Sequence, residues 1–162
     1  EFDNLGGAGL AACLYAASAD HLVKTSPEEF SLMAQSGTVA VALPCTPFGL
    51  AQPQYTPAWQ VLAAGGILAI ATDLNPGTAW CESMQFAIAL ACRYLKLTPA
   101  QAIAAATINA AAAIKADERV GSLEPGKQAD LLVLSVNDYR HLGYRFGGNL
   151  AGRVMKRGEF VI

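Results

Sequence analysis

Two polar residues stand within or just past apolar runs, and their types suit acid–base or metal chemistry. Asp73 comes directly after Leu68–Ala71 and Thr72. A carboxylate at the end of a buried strand has to be paired, hydrogen-bonded or metal-bound, because burying it alone is costly. Its alternative duty is to cap a short turn through Asn75-Pro76-Gly77-Thr78. His21 lies in Ser18-Ala19-Asp20-His21-Leu22, a polar pair between apolar neighbours. Its imidazole suits a general base or a metal ligand, and it reads equally as a satisfied structural histidine. His141, among Tyr139, Arg140, Gly143 and Tyr144, is expected to have surface or packing duty. A catalytic zinc or iron takes about three or more N and O ligands and keeps a position open for water. This chain has no HxH pair and no third histidine, so spacing alone stops at one carboxylate and one imidazole.

Other reactive types rank lower. The four cysteines, at 13, 45, 81 and 92, have no CxxC spacing. A chain with a core of its own needs no disulfide staples, so reduced thiols in a cytoplasmic setting are expected. Cys81 follows the Asp73 loop, but no motif places a base beside it. Gly6-Gly7-Ala8-Gly9 follows no predicted strand and lacks the Lys-Ser/Thr of a phosphate-cradling loop.

The elements that must position His21 and Asp73 follow from periodicity and punctuation. Leu10–Ala17 reads as a helix and Ala19–Val23 as a short strand with a polar tip. Ser26-Pro27-Glu28-Glu29 opens a helix over Pro27–Ser36: Ser26 can cap, Pro27 suits the first turn, and the acids favour its positive end. Gly37 closes it, and Thr38–Leu43 is a strand of the kind buried on both faces. The cycle repeats with a helix over Pro57–Ala64, a Gly65-Gly66 stop and a strand over Ile67–Ala71. This alternation is that of a parallel sheet, in either a barrel or a doubly wound form, and polar groups at or just past its carboxyl ends lie where a βα barrel keeps its chemistry. Helices are then expected over Ser83–Leu95 and from Thr98-Pro99 through Ala113. Beyond the turn-rich Gly121–Lys127, a strand over Asp130–Leu134 and a hairpin of Gly152–Lys156 with Glu159–Ile162 around Arg157-Gly158 should form a small separate sheet.

Composition excludes several classes. The chain has 162 residues, 53% apolar and 15% charged, enough to bury one ordinary core, so disorder is excluded. Eleven Lys and Arg against thirteen Asp and Glu leave no basic excess for a nucleic-acid partner. No run of about eighteen apolar residues occurs, so no membrane span is expected. Residues 1–92 carry −6 and residues 93–162 carry +4, two regions of different character.

Three segments carry a family resemblance: Ser18-Ala19-Asp20-His21-Leu22; Ala71-Thr72-Asp73-Leu74-Asn75-Pro76-Gly77-Thr78; and the stretch from Leu97-Thr98-Pro99 through Ala104–Ala111 to Gly121–Leu131, with its Gly126-Lys127-Gln128-Ala129-Asp130-Leu131. Together they resemble the amidohydrolase superfamily and, within it, the imidazolonepropionase family of histidine degradation. Thr78-Ala79-Trp80 departs from the Ser-Ser-Pro common in bacterial members. The resemblance covers essentially the whole chain and implies an α/β fold: the C-terminal part of a metal-dependent TIM-like (β/α) barrel over 1–115, with strands of a small β-sandwich over 116–162. Three strands do not close a barrel, which takes about eight, and Glu1-Phe2 matches the end of a His-Ala-Asp-Glu-Phe motif, so an HxH pair and a further histidine ligand are expected upstream.

Carried over by motif, Asp73 resembles a metal-ligand aspartate, His21 a catalytic histidine and Glu1 an active-site glutamate, while Asn75, Gly77 and Thr78 match a substrate-holding loop. The resemblance implies one zinc or iron ion and hydrolysis of 4-imidazolone-5-propanoate to N-formimino-L-glutamate by a metal-activated water. It also implies a small-molecule substrate, and leaves a homodimer open. The competing readings are another metal-dependent cyclic amidohydrolase, a deaminase, or a catalytically inactive remnant.

Overall fold

The computed structural model of the chain describes residues 2–161. Its centre is a parallel sheet of β1 (Ser18–His21), β2 (Val39–Ala42) and β3 (Leu68–Ile70), in the order β1-β2-β3. Register sets His21 beside Ala42 and Ala42 beside Ile70, so all three strands end at one level. Both faces of β2 are buried, as its unbroken Val-Ala-Val-Ala requires. Ala40, Ala42, Leu68 and Ile70 pack into the main core with Phe30, Met33 and Val61 of the covering helices. Val39, Val41 and Ala69 point the other way, toward Ala113.

Helix α2 (Pro27–Ser36) forms as its punctuation predicts. The Ser26 hydroxyl accepts from Glu29 N, the Glu29 carboxylate accepts from Ser26 N, and Gly37 ends the helix at φ 75°. Helix α1 corrects an expectation, spanning Gly7–Cys13 and not Leu10–Ala17. Its first turn is satisfied from a distance: Glu29 Oε1 accepts from Gly9 N at 3.1 Å, and Asn4 Nδ2 donates to Glu29 Oε2 at 2.8 Å. The glycine-rich stretch therefore serves as a helix start.

Between β2 and β3 lie two short helices, α3 (Cys45–Gly49) and α4 (Ala58–Ala63), the first of which has no periodic signal. Helix α5 (Met84–Tyr94) follows, capped by the Ser83 hydroxyl. The single helix expected through Ala113 is instead two, α6 (Pro99–Ala106) and α7 (Ile108–Ala113), broken at Thr107 with φ −123° and ψ −93°. Two long-range contacts hold the break. Asn109 Nδ2 donates to Leu68 O at 2.8 Å, tying α7 to β3, and Gly121 lies so close that a Cβ there would come within 2.8 Å of Ala111 Cβ.

The tail forms the separate antiparallel sheet that its alternation predicts. It comprises β4 (Leu131–Leu134), β5 (Ala151–Lys156) and β6 (Glu159–Phe160), with Arg157 at φ 53° and Gly158 at φ 87° making the hairpin turn. It is tied to α5 by Gln85, which accepts from Leu150 N at 2.9 Å, while Arg93 donates to the carbonyls of Gly143 and Tyr144. Among the described residues, no helix is long and apolar enough to cross a membrane.

Candidate active site

The common ending of the strands brings the two singled-out residues together. His21 is the last residue of β1, and Asp73 follows β3 by three positions. Their side chains meet across the end of β2, Nε2 to Oδ2 at 4.0 Å, with 30% and 25% of each exposed. Solvent or a ligand can therefore reach both groups.

Both residues have an unusual backbone. His21 has φ 114°, Leu22 φ 90° and Asp73 φ 54°, values that cost non-glycine residues energy and persist only where the surroundings over-determine them. The restraints are visible. Thr56, which is buried, donates from Oγ1 to the His21 carbonyl at 2.7 Å, and Asn75 Nδ2 donates to the Asp73 carbonyl at 2.6 Å. Thr46 Oγ1 donates to Asp73 Oδ2 at 2.6 Å. Neither threonine carries a recognisable motif; the available signal for Thr46 is its place just beyond the carboxyl end of a buried strand.

The loop after Asp73 is organised by Asn75. Its Oδ1 accepts from Gly77 N at 2.9 Å and Thr78 N at 2.8 Å, and its backbone N donates to Ala79 O at 3.1 Å. The expected substrate-holding residues thus stand beside Asp73, but both backbone N–H groups and the Asn75 amide are engaged within the loop.

Cys45 and Cys81 lie on the flank of the site in one cluster with Ala79, Ala87 and Leu90. Burial above all, with the hydrogen bond to Cys81 and the negative charge of Asp73, pushes the Cys45 thiol up to about 12. It is a neutral thiol at physiological pH and no nucleophile. His141 sits in the 3-10 turn Tyr139–Gly143 and stacks on Tyr144 at 5.5 Å. Glu1 lies outside the described residues.

A carboxylate and an imidazole are the donor types that zinc and iron take from proteins. Two such side chains fall short of a coordination shell, and among the described residues no group of three or more His, Cys, Asp or Glu side chains could hold a metal ion.

A strand-end His and Asp on a parallel sheet with this helix order define a class, and sequence comparison gives its name. Residues 2–161 match the model of the amidohydrolase family, and the chain belongs to that family. It is 57% identical over 161 residues to an imidazolonepropionase from Herpetosiphon aurantiacus, covering 99% of this chain and 38% of that protein. An imidazolonepropionase from Symbiobacterium thermophilum is 46% identical over 162 residues, again over 38% of its length. The chain therefore spans well under half the length of these curated relatives. Among solved structures, a zinc-bound adenosine deaminase from Xanthomonas campestris superimposes with a TM-score of 0.78 at 25% identity, over 91% of this chain and 38% of that one. The ochratoxinase of A. niger has the same fold, with a TM-score of 0.79 at 22% identity over 97% of this chain and 39% of that one.

Proposed function

We propose that this chain carries part of the active site of a metal-dependent amidohydrolase that opens the ring of 4-imidazolone-5-propanoate to give N-formimino-L-glutamate. The observation that supports it best is the Asp73–His21 pair, held 4.0 Å apart at the ends of β3 and β1, in a chain this similar to imidazolonepropionases. In this reading residues 1–115 belong to the barrel and residues 116–162 to the β-sandwich.

Asp73 would hold the metal through its carboxylate, with the remaining ligands supplied from outside residues 1–162. The zinc or iron, when bound, supplies Lewis-acid activation of water and of the ring carbonyl. Asp73 takes up the proton that the attacking water sheds. His21, beside it, acts as general base or donates toward the oxygen of the carbonyl under attack. The ring C–N bond breaks, the carbonyl carbon keeps the incoming oxygen, and the departing nitrogen receives the proton that Asp73 took up. Glu1 orients the ring nitrogens by hydrogen bonding. Asn75, Gly77 and Thr78 bound the substrate through the contour of their loop, which Gly77 keeps intact because a Cβ there would come within 3.2 Å of Asn75 Oδ1.

The reading is tested by grafting this chain in place of the matching segment of the Herpetosiphon aurantiacus relative and following ring opening by absorbance. The chimera should turn over, and Asp73→Ala should lower kcat/KM by roughly 10²-fold or more. The isolated 162-residue chain should retain no stoichiometric metal and no turnover. Full activity in Asp73→Ala, or enzyme-like turnover by the isolated chain, refutes the assignment of Asp73. A deaminase is the second reading, favoured by the adenosine deaminase likeness; release of ammonia from an aminopurine and no imidazolone hydrolysis would establish it instead.

A further inference from the structure

Helix α3 is five residues long and has no periodic signal, yet it is fastened to the Asp73 loop along its length. At its start, Cys45 packs with Ala79. Thr46 donates to Asp73 Oδ2. Phe48 meets Phe86 of α5 edge to face, with ring centroids 5.2 Å apart. At its end, Gly49 passes so near Thr78 that a Cβ would lie 2.2 Å from Thr78 O. The loop bearing Asp73, Asn75 and Thr78 is thus braced from β2 by a separate element.

Within that brace, Thr46 is the one polar contact to the carboxylate. Its residue is 1% exposed, so its hydroxyl needs a partner inside the protein. The routine partner for a helical hydroxyl is the carbonyl one turn back, as in Thr107 Oγ1 to Ile103 O and Ser31 Oγ to Pro27 O. Thr46 turns instead to Asp73, while the carbonyl of Ala42, one turn back, accepts from Ala71 N. The carboxylate can only accept in this contact when ionised, so the hydroxyl proton lies between the two oxygens and holds the carboxylate plane in one orientation.

We propose that Thr46 is a positioning residue for metal binding: its hydroxyl, delivered by α3, orients the Asp73 carboxylate as a ligand. The inference rests on the reading of Asp73 given under Proposed function. A hydrogen bond to a ligating carboxylate fixes the ligand before the metal arrives, and loss of such partners typically costs about 10–100-fold in metal affinity. Thr46→Val keeps the shape and removes the donor, whereas Thr46→Ser keeps the donor and removes a methyl.

The test uses the grafted chimera, with zinc affinity measured by chelator competition and thermal unfolding measured alongside. Thr46→Val should weaken zinc binding by about 10–100-fold, and Thr46→Ser should stay within about threefold of the parent. Equal affinity in the parent and Thr46→Val overturns the inference and leaves the reading of Asp73 standing. Losses in Thr46→Ser as large as those in Thr46→Val, tracking a common fall in Tm, show a packing role and overturn it as well. A folded chimera that binds no zinc in any variant overturns both, and zinc binding that survives Asp73→Ala unchanged overturns the reading of Asp73 and the inference together.

Discussion

Gly49→Ala isolates the brace between α3 and the Asp73 loop in a single methyl group. Gly49 is helical, so alanine meets no backbone strain there and gains about 1 kcal/mol of helix propensity. Against this, the new Cβ would sit 2.2 Å from the carbonyl oxygen of Thr78, and ordinary contact begins near 3.4 Å. The neighbour is backbone and cannot rotate away, so the two segments must part by about 1 Å. Overpacking of that kind typically costs about 1–3 kcal/mol. The clash exceeds the propensity gain at most of that range, giving an expected net loss of about 0–2 kcal/mol in urea unfolding of the 162-residue chain. In the chimera, the same displacement reaches Thr78 and Asn75 and should lower kcat/KM by roughly 10²-fold, since active-site groups tolerate little misplacement. A Gly49→Ala chain as stable as the parent, with unchanged chemical shifts over 73–79, would refute the brace.

Two further outcomes are expected. Asp130 accepts from Lys156 Nζ and from Arg157 N, and these bonds hold its carboxyl at about 2, below its ordinary 3.8. A folded value below the unfolded one stabilises fully above about pH 4 and is lost as pH falls toward 2; amide protection in β5, taken relative to the intrinsic exchange rate at each pH, should fall across that window, and Asp130→Asn should abolish the dependence. In the main core, Phe30→Ala should cost about 3–5 kcal/mol by leaving a cavity under the sheet, while Ser26→Ala, which removes one half of the capping box, should cost about 1 kcal/mol; comparable losses in urea unfolding would contradict the packing described.

What could be read from the residues themselves is local. Ser26, Pro27 and Glu29 specify the start of α2 because a capping box closes within four residues. Val39–Ala42 and Leu68–Ile70 announce buried strands because nothing polar interrupts them, and Arg157-Gly158 announces a hairpin because two successive positive φ values are needed there. His21 and Asp73 were legible as candidates because both are polar where apolar residues dominate, His21 within a short strand and Asp73 just past one. Their separation could not be read, because 51 intervening positions are folded back by two strand crossovers whose register only packing decides. The start of α1 depends on Glu29, twenty residues away, and the break at Thr107 on Leu68 and Gly121. Thr46 had only its place past a buried strand to mark it, and Gly49 had nothing. A threonine and a glycine in a short irregular turn look alike in most sequences, and what distinguishes these two is a carboxylate and a carbonyl that tertiary structure brings to them from the next strand.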